Sequence, residues 1–161
     1  MRKINRIYIH HSATARDTTT FEWVDNFHRE KGWGGIGYHF FVDAGGSVYK
    51  VRPEAEEGIH AKWDNQTSIG ICLAGNFQEE DPSPAQMKHL LDLLACLCKT
   101  YGLSPAAIVG HRDRVRYKWW KVGIWFARTD CPGKILYARL KDIRAEVGAR
   151  LTAPVPQRRF D

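Results

Sequence analysis

The hydrophobic pattern of the chain switches repeatedly between a period of two and a period near 3.6. Ile7-Tyr8-Ile9-His10-His11-Ser12-Ala13-Thr14 begins as an alternating β-branched run and breaks into small polar residues. It reads as a strand that delivers histidines to the edge of a sheet. Successive strand side chains point to opposite faces, so Ile7 and Ile9 face a core while Tyr8 and His10 face the other way. His11 then leaves the face of His10, and the pair is not a chelate by itself. His10 needs partners from elsewhere, and two later places can supply them: His111 in Val109-Gly110-His111-Arg112-Asp113, and Cys131 in Thr129-Asp130-Cys131-Pro132-Gly133.

Further along, Thr19-Thr20-Phe21-Glu22 fits a capping box with Thr19 as N-cap. Trp23, Val24 and Phe27 form the apolar stripe of the predicted helix, which Gly32 ends. Gly37 to Val42 predicts a strand by its aromatic and β-branched content, and Asp43-Ala44-Gly45-Gly46 turns it into a second strand, Ser47 to Val51. Residues 52–67 read as a polar surface loop, and Ser68 to Gly75 as a buried strand. Ser83, Pro84 and Gln86 then start a helix with Met87, Leu90, Leu91, Leu94, Leu97 and Tyr101 at helical spacing and Gly102 as its stop. Ala107 to Gly110 is a short strand that ends at His111. A basic, aromatic loop spans Arg112 to Arg128, and a last helix follows Gly133 to about Val147, with Leu136, Leu140, Ile143 and Val147 on one face. Strands and helices interleave, which predicts a single α/β domain: a central mixed β-sheet flanked by α-helices, residues 1–150, with a short C-terminal tail at 151–161.

Composition narrows the class. The chain has 161 residues, 43% hydrophobic and 26% charged, enough for one domain with a real core. Its net charge of +6 suits an anionic partner such as nucleic acid, cell-wall polymer or a membrane surface, without choosing among them. The basic N-terminus lacks the apolar stretch of a secretory signal, so cytoplasmic synthesis is expected, and no apolar run is long enough to span a bilayer. Four cysteines form no CxxC pair. Cys72, Cys96 and Cys98 fall in apolar patterns and read as small buried hydrophobes, whereas Cys131 sits in a polar turn.

Two imidazoles and one thiolate, from His10, His111 and Cys131, are a donor set for tetrahedral zinc with one open position. Dispersed residues match no local chelating pattern, and a packed strand-end histidine is about as common as a ligand.

The segments Ile9-His10-His11-Ser12-Ala13-Thr14, Gly32-Trp33 with Gly37-Tyr38-His39-Phe40, His60-Ala61-Lys62, Ser68 to Leu73, Gly110-His111-Arg112-Asp113 and Cys131-Pro132-Gly133 together give the chain a family likeness. It resembles the zinc N-acetylmuramoyl-L-alanine amidases of the phage-lysozyme and peptidoglycan-recognition-protein type, from about Ile4 to Ile143. The resemblance implies that His10, His111 and Cys131 hold Zn2+ and that the chain hydrolyses the amide joining muramic acid to L-alanine. Tyr38 then donates to the developing oxyanion, and the amide nitrogen must leave protonated. Where lysine-type members carry Lys, this chain has Thr129, as catalytic recognition proteins do, so Thr129 is expected to assist as a neutral hydroxyl. His60 matches a family position that lines the peptide-stem cleft, and Asn65 in the same loop and Trp33 are also expected to contact substrate. The chain departs from many relatives at Gly34-Gly35, and in the long aromatic loop around Trp119-Trp120.

Other residues have plainer readings. His11 is a packing neighbour of a ligand, His39 is structural, His28 and His89 are solvated, and Arg52 is solvated unless it meets a stem carboxylate. Trp119 and Trp120 can stack on sugars, stack on bases or pack on the domain. The expected partner is bacterial peptidoglycan, for a monomeric phage or prophage endolysin released with a holin. A cytoplasmic muropeptide-recycling amidase shares the same features. A non-catalytic recognition module would have lost a zinc ligand, and all three are present. No specific nucleic-acid contact motif is present.

Overall fold

The computed structural model describes residues 2–114 and 129–153. Five strands form one sheet in the order β3-β2-β4-β1-β5: β1 Arg6–His11, β2 Phe40–Val42, β3 Val48–Lys50, β4 Ser68–Leu73 and β5 Ile108–Gly110. β4 lies at the centre, parallel to β1 on one side and β2 on the other; β1 is also parallel to β5 at one edge, and β3 closes the other edge as an antiparallel hairpin partner of β2. The mixed sheet is the one the interleaved pattern predicts.

One face of the sheet carries Ile7 and Ile9 of β1, Ile69, Ile71 and Leu73 of β4, and Ile108 of β5. Helices α2 (Pro84–Tyr101) and α4 (Leu140–Thr152) cover it with Leu90, Leu94, Leu97, Leu140, Ile143 and Val147. The capping box of α2 is as expected: Ser83 Oγ accepts from Gln86 N, Gln86 Oε1 accepts from Ser83 N, and Gly102 ends the helix in the left-handed region. The other face carries α1 (Phe21–Glu30), where Val24 packs with Ile36, Phe41, Cys72 and Ala74. The chain leaves β1 over this face and leaves β4 over the opposite one. A crevice therefore opens at the carboxyl ends of β1, β4 and β5, the usual ligand position in open α/β sheets.

The structure corrects several local expectations. The N-cap of α1 is Thr20, whose side chain accepts from Trp23 N. Thr19 is buried, and its hydroxyl is already engaged with Ala15 O and Thr14 Oγ1. The buried stripe of α1 is Val24 and His28, while Trp23 and Phe27 stack on each other in solvent. His28 is therefore not solvated; its Nδ1 accepts from Gly37 N. His89 is half-buried, with Nδ1 at 2.5 Å from Gly46 O. The first hairpin strand is three residues long, Phe40–Val42, with a bend at residues 37–39 before it, although His39 N still donates to Gly70 O and His39 O still accepts from Val51 N.

Cys72 and Cys98 are buried but Cys96 is exposed. The loop at 52–67 is not all surface, since His60 and Ala61 are buried within it. The last helix is broken: α3 (Lys134–Ala138) gives way at Arg139 to α4, which runs to Thr152. Trp119, Trp120 and their aromatic loop, and the tail beyond residue 153, lie outside the described residues.

Candidate metal centre

Three chain segments meet at the carboxyl edge of the sheet. His10 is the penultimate residue of β1 and is 1% exposed. His111 follows Gly110 at the end of β5, the neighbouring strand, and its ring lies 4.6 Å from that of His10. Cys131 arrives on the turn before α3, with Sγ 3.5 Å from His10 Nδ1. One donor atom from each of the three lies within 4.8 Å of the others.

The backbone explains why the loops converge. Arg112 N donates to Cys131 O (2.9 Å), tying the two loops together. Asp113 accepts from Gly110 N at 3.0 Å and from Tyr137 Oη at 2.5 Å, which anchors the His111 turn to α3. Gly133 packs so closely on residue 77 that a Cβ there would lie 2.3 Å from Phe77 C, and its φ of +91° also favours glycine.

The electrostatics suit a metal. Burial, with His111, His60 and His11 nearby, holds His10 well below the usual imidazole range. Burial and the Arg114 guanidinium lower His111 to about 4. Both rings are thus neutral at pH 7, the form that offers a lone pair. Burial pushes the Cys131 thiol up to about 12 against the pull of the His11 backbone N–H and Arg112. A thiol this reluctant to ionise needs a cation to become a thiolate, and two imidazoles plus one thiolate fit a borderline-soft divalent ion.

Tyr38 lies beside the cluster, its ring 4.9 Å from that of His10. Burial, with Cys72 and Cys131 nearby, raises its hydroxyl well above the usual phenol range, so it remains an O–H donor. Thr129 Oγ1 accepts from Cys131 N at 3.1 Å, which leaves its own O–H to donate elsewhere. Both line an open cleft with His10, His111 and Cys131.

The three expected substrate contacts are not among the residues that line this cleft. His60 is buried behind His10, its Nδ1 3.1 Å from His10 Nε2. Asn65 Oδ1 is occupied by His60 N (3.0 Å) and Ala61 N (2.6 Å). Trp33 packs on His28 at 4.7 Å and borders a separate polar depression with Asp25, Arg29 and Arg52. Arg52 itself donates to Ile36 O and Glu57 O.

His11 and His39 behave as packing residues. His11 Nδ1 accepts from Phe77 N, and His39 Nδ1 accepts from Gly70 N. Asn76, Gln78 and Asp130 also line the cleft and were not foreseen. Their only signal in the sequence is that polar residues follow a buried strand or precede a ligand.

Comparison with known proteins agrees with this geometry. Residues 1–134 match the Amidase_2 family, described as N-acetylmuramoyl-L-alanine amidase. The chain is 37% identical over 113 residues to the endolysin of Enterobacteria phage T3, covering 66% of this chain and 74% of that one. It is 34% identical over 146 residues to a Sus scrofa N-acetylmuramoyl-L-alanine amidase, covering 84% of this chain but only 22% of that longer protein. Among solved structures, the N-acetylmuramoyl-L-alanine amidase LysC from Clostridium intestinale URNW superposes with a TM-score of 0.76 at 32% identity, over 91% of this chain and 86% of that one. Drosophila PGRP-LB superposes with a TM-score of 0.72 at 28% identity, over 88% and 81%. With a match that spans most of its length and a ligand cluster in the crevice of the shared fold, the chain belongs to the N-acetylmuramoyl-L-alanine amidase family.

Proposed function

We propose that this chain is a zinc-dependent hydrolase of the amide bond between N-acetylmuramic acid and L-alanine in bacterial peptidoglycan. The observation that carries the reading is the convergence of His10, His111 and Cys131 beside a protonated Tyr38 in an open cleft. Those three residues would hold the zinc, and Tyr38 and Thr129 act on the substrate. A bound zinc ion supplies Lewis acidity that polarises a carbonyl and acidifies water.

The chain's own residues do the rest. Tyr38 aims an O–H at the oxygen on which charge develops as the amide carbon becomes tetrahedral. Thr129 offers a second, neutral O–H while its lone pair steadies the Cys131 turn. The buried, low-pKa histidines stay neutral across the physiological range and so do not compete with the metal for a proton.

The catalytic unit is taken as residues 1–150, with 151–161 as a tail. Similarity to a phage endolysin across 74% of that protein's length supports an endolysin role. In that role the chain would act as a monomer, made in the cytoplasm and passed to the wall by a holin-type partner. Trp33, His60 and Asn65 are candidates for the peptide-stem side, and the partial exposure of Trp33 supports direct contact there.

Digestion of purified sacculi by metal-stripped and zinc-restored protein, read by mass spectrometry, tests the proposal. Intact glycan strands and free peptides with N-terminal L-alanine, released only with zinc, are the expected products. Cleavage of soluble muropeptides but not sacculi would replace the endolysin role with recycling, and wall binding without cleavage would sink the hydrolase reading.

A further inference from the structure

We infer that His60 is a positioning residue for His10: its Nδ1 accepts the Nε2 proton of His10 and so holds His10 in the tautomer that turns a Nδ1 lone pair toward the metal. The inference rests on the metal centre proposed above. A neutral imidazole has one N–H and one lone pair. His10 Nδ1 faces Cys131 Sγ at 3.5 Å, so Nδ1 is the metal-facing atom and Nε2 must carry the proton. His10 is almost wholly buried, and a buried N–H needs an acceptor. His60 Nδ1 stands 3.1 Å from His10 Nε2, with the two rings edge-on at 85°. The direction of this hydrogen bond follows from the ligand atom. Were His60 the donor, His10 would carry its proton on Nδ1 and could not bind a metal there.

The surroundings are built for this placement. A Cβ on Gly70, in β4, would lie 2.6 Å from the His60 ring, and one on Gly58 would lie 2.5 Å from it. Two glycines from different segments thus leave the space the imidazole fills. Asn65 Oδ1 accepts from both His60 N and Ala61 N, which pins the loop from the other side. His60 Nε2 has no hydrogen-bond partner among the described residues. Ligating histidines commonly donate their other N–H to an orienting acceptor, and here that acceptor is a second imidazole.

The experiment compares zinc affinity, by competition with a chromophoric chelator, in the full-length wild type, His60→Phe and His60→Asn. Phenylalanine keeps the ring and removes the acceptor, while the Asn Oδ1 sits where Nδ1 was. The expected result is zinc binding about 10- to 100-fold weaker in His60→Phe and largely recovered in His60→Asn. Equal zinc affinity in wild type and a folded His60→Phe overturns the inference and leaves the proposed function standing. A wild type that does not bind zinc overturns both.

A second measurement avoids any folding defect of the variants. Long-range 1H–15N spectra of the wild-type histidines should show His10 protonated on Nε2 and His60 bare on Nδ1. A proton on His60 Nδ1 overturns the inference directly.

Discussion

At the scale of single residues, burial decides which protons are held and which must leave. Tyr38 keeps its proton because a phenolate beside two thiols in a buried site is unfavourable. Tyr38→Phe retains the ring against His10 and loses only the O–H. We expect kcat to drop about 10²- to 10³-fold, the usual cost of losing one oxyanion donor, with zinc affinity unchanged. Kinetics on a soluble muropeptide and a zinc titration separate the two effects.

Cys131 makes a different prediction. Its thiol, raised to about 12 by burial, is protonated at pH 7, whereas the ligand is the thiolate. Zinc uptake should therefore expel about one proton, and affinity should weaken about tenfold for each unit the pH is lowered near neutrality. Calorimetry in buffers of different ionisation enthalpy reads the proton count, and uptake without proton release would contradict it.

At the scale of elements, short polar contacts tie the strands and helices that carry the site. Ser83 caps α2 and also donates to Ala44 O at 2.9 Å, so Ser83→Ala should cost about 1–2 kcal/mol in a denaturant melt and leave zinc binding intact. His39 links the entry of β2 to β4 by accepting from Gly70 N, which requires a bare Nδ1. Burial lowers its pKa to about 4, against 6.5 in the unfolded chain. Between those values the unfolded state binds the proton first, so stability is full above about pH 6.5 and is lost as pH falls toward 4. The loss from this residue reaches at most about 3 kcal/mol. In His39→Asn, whose Oδ1 accepts from Gly70 without titrating, the acid-unfolding midpoint should move to lower pH.

The two main helices differ in how legible they were. In α2 the cap, the Pro, the apolar spacing and the Gly stop all agree, so the sequence described it nearly residue by residue. In α1 the apolar residues lie on more than one flank. Only packing on the sheet selects Val24 and His28 for the interior and leaves Trp23 and Phe27 outside.

At the scale of the molecule, the site joins β1 to chain a hundred and more residues away. His10 is separated from Cys131 by 121 positions, and the sheet makes them neighbours by placing β1 beside β5. A metal that binds only the folded arrangement stabilises the whole domain by mass action. At free zinc about 100-fold above Kd the gain is about 2.7 kcal/mol, so chelation should lower the melting temperature and zinc should restore it. A melting temperature indifferent to both would argue against a resident metal.

The sequence by itself determined the order of strands and helices, the mixed sheet and the inward face of β1, and it offered His10, His111 and Cys131 as donors that only the family resemblance joined into one set. The elements follow from local chemistry: alternation, helical spacing and caps. The tertiary structure decided what each remaining side chain has for a neighbour. It buried His28, which the helix pattern left in solvent, and committed Thr19 to Ala15 and Thr14 so that Thr20 caps α1. It turned His60 from the cleft toward the back of His10 and brought Asn76 and Gln78 to the rim. The physical reason is that a side chain's role depends on which atoms fill the space around it, and for these residues those atoms come from distant parts of the chain. The spacing of residues along the chain carries no record of that.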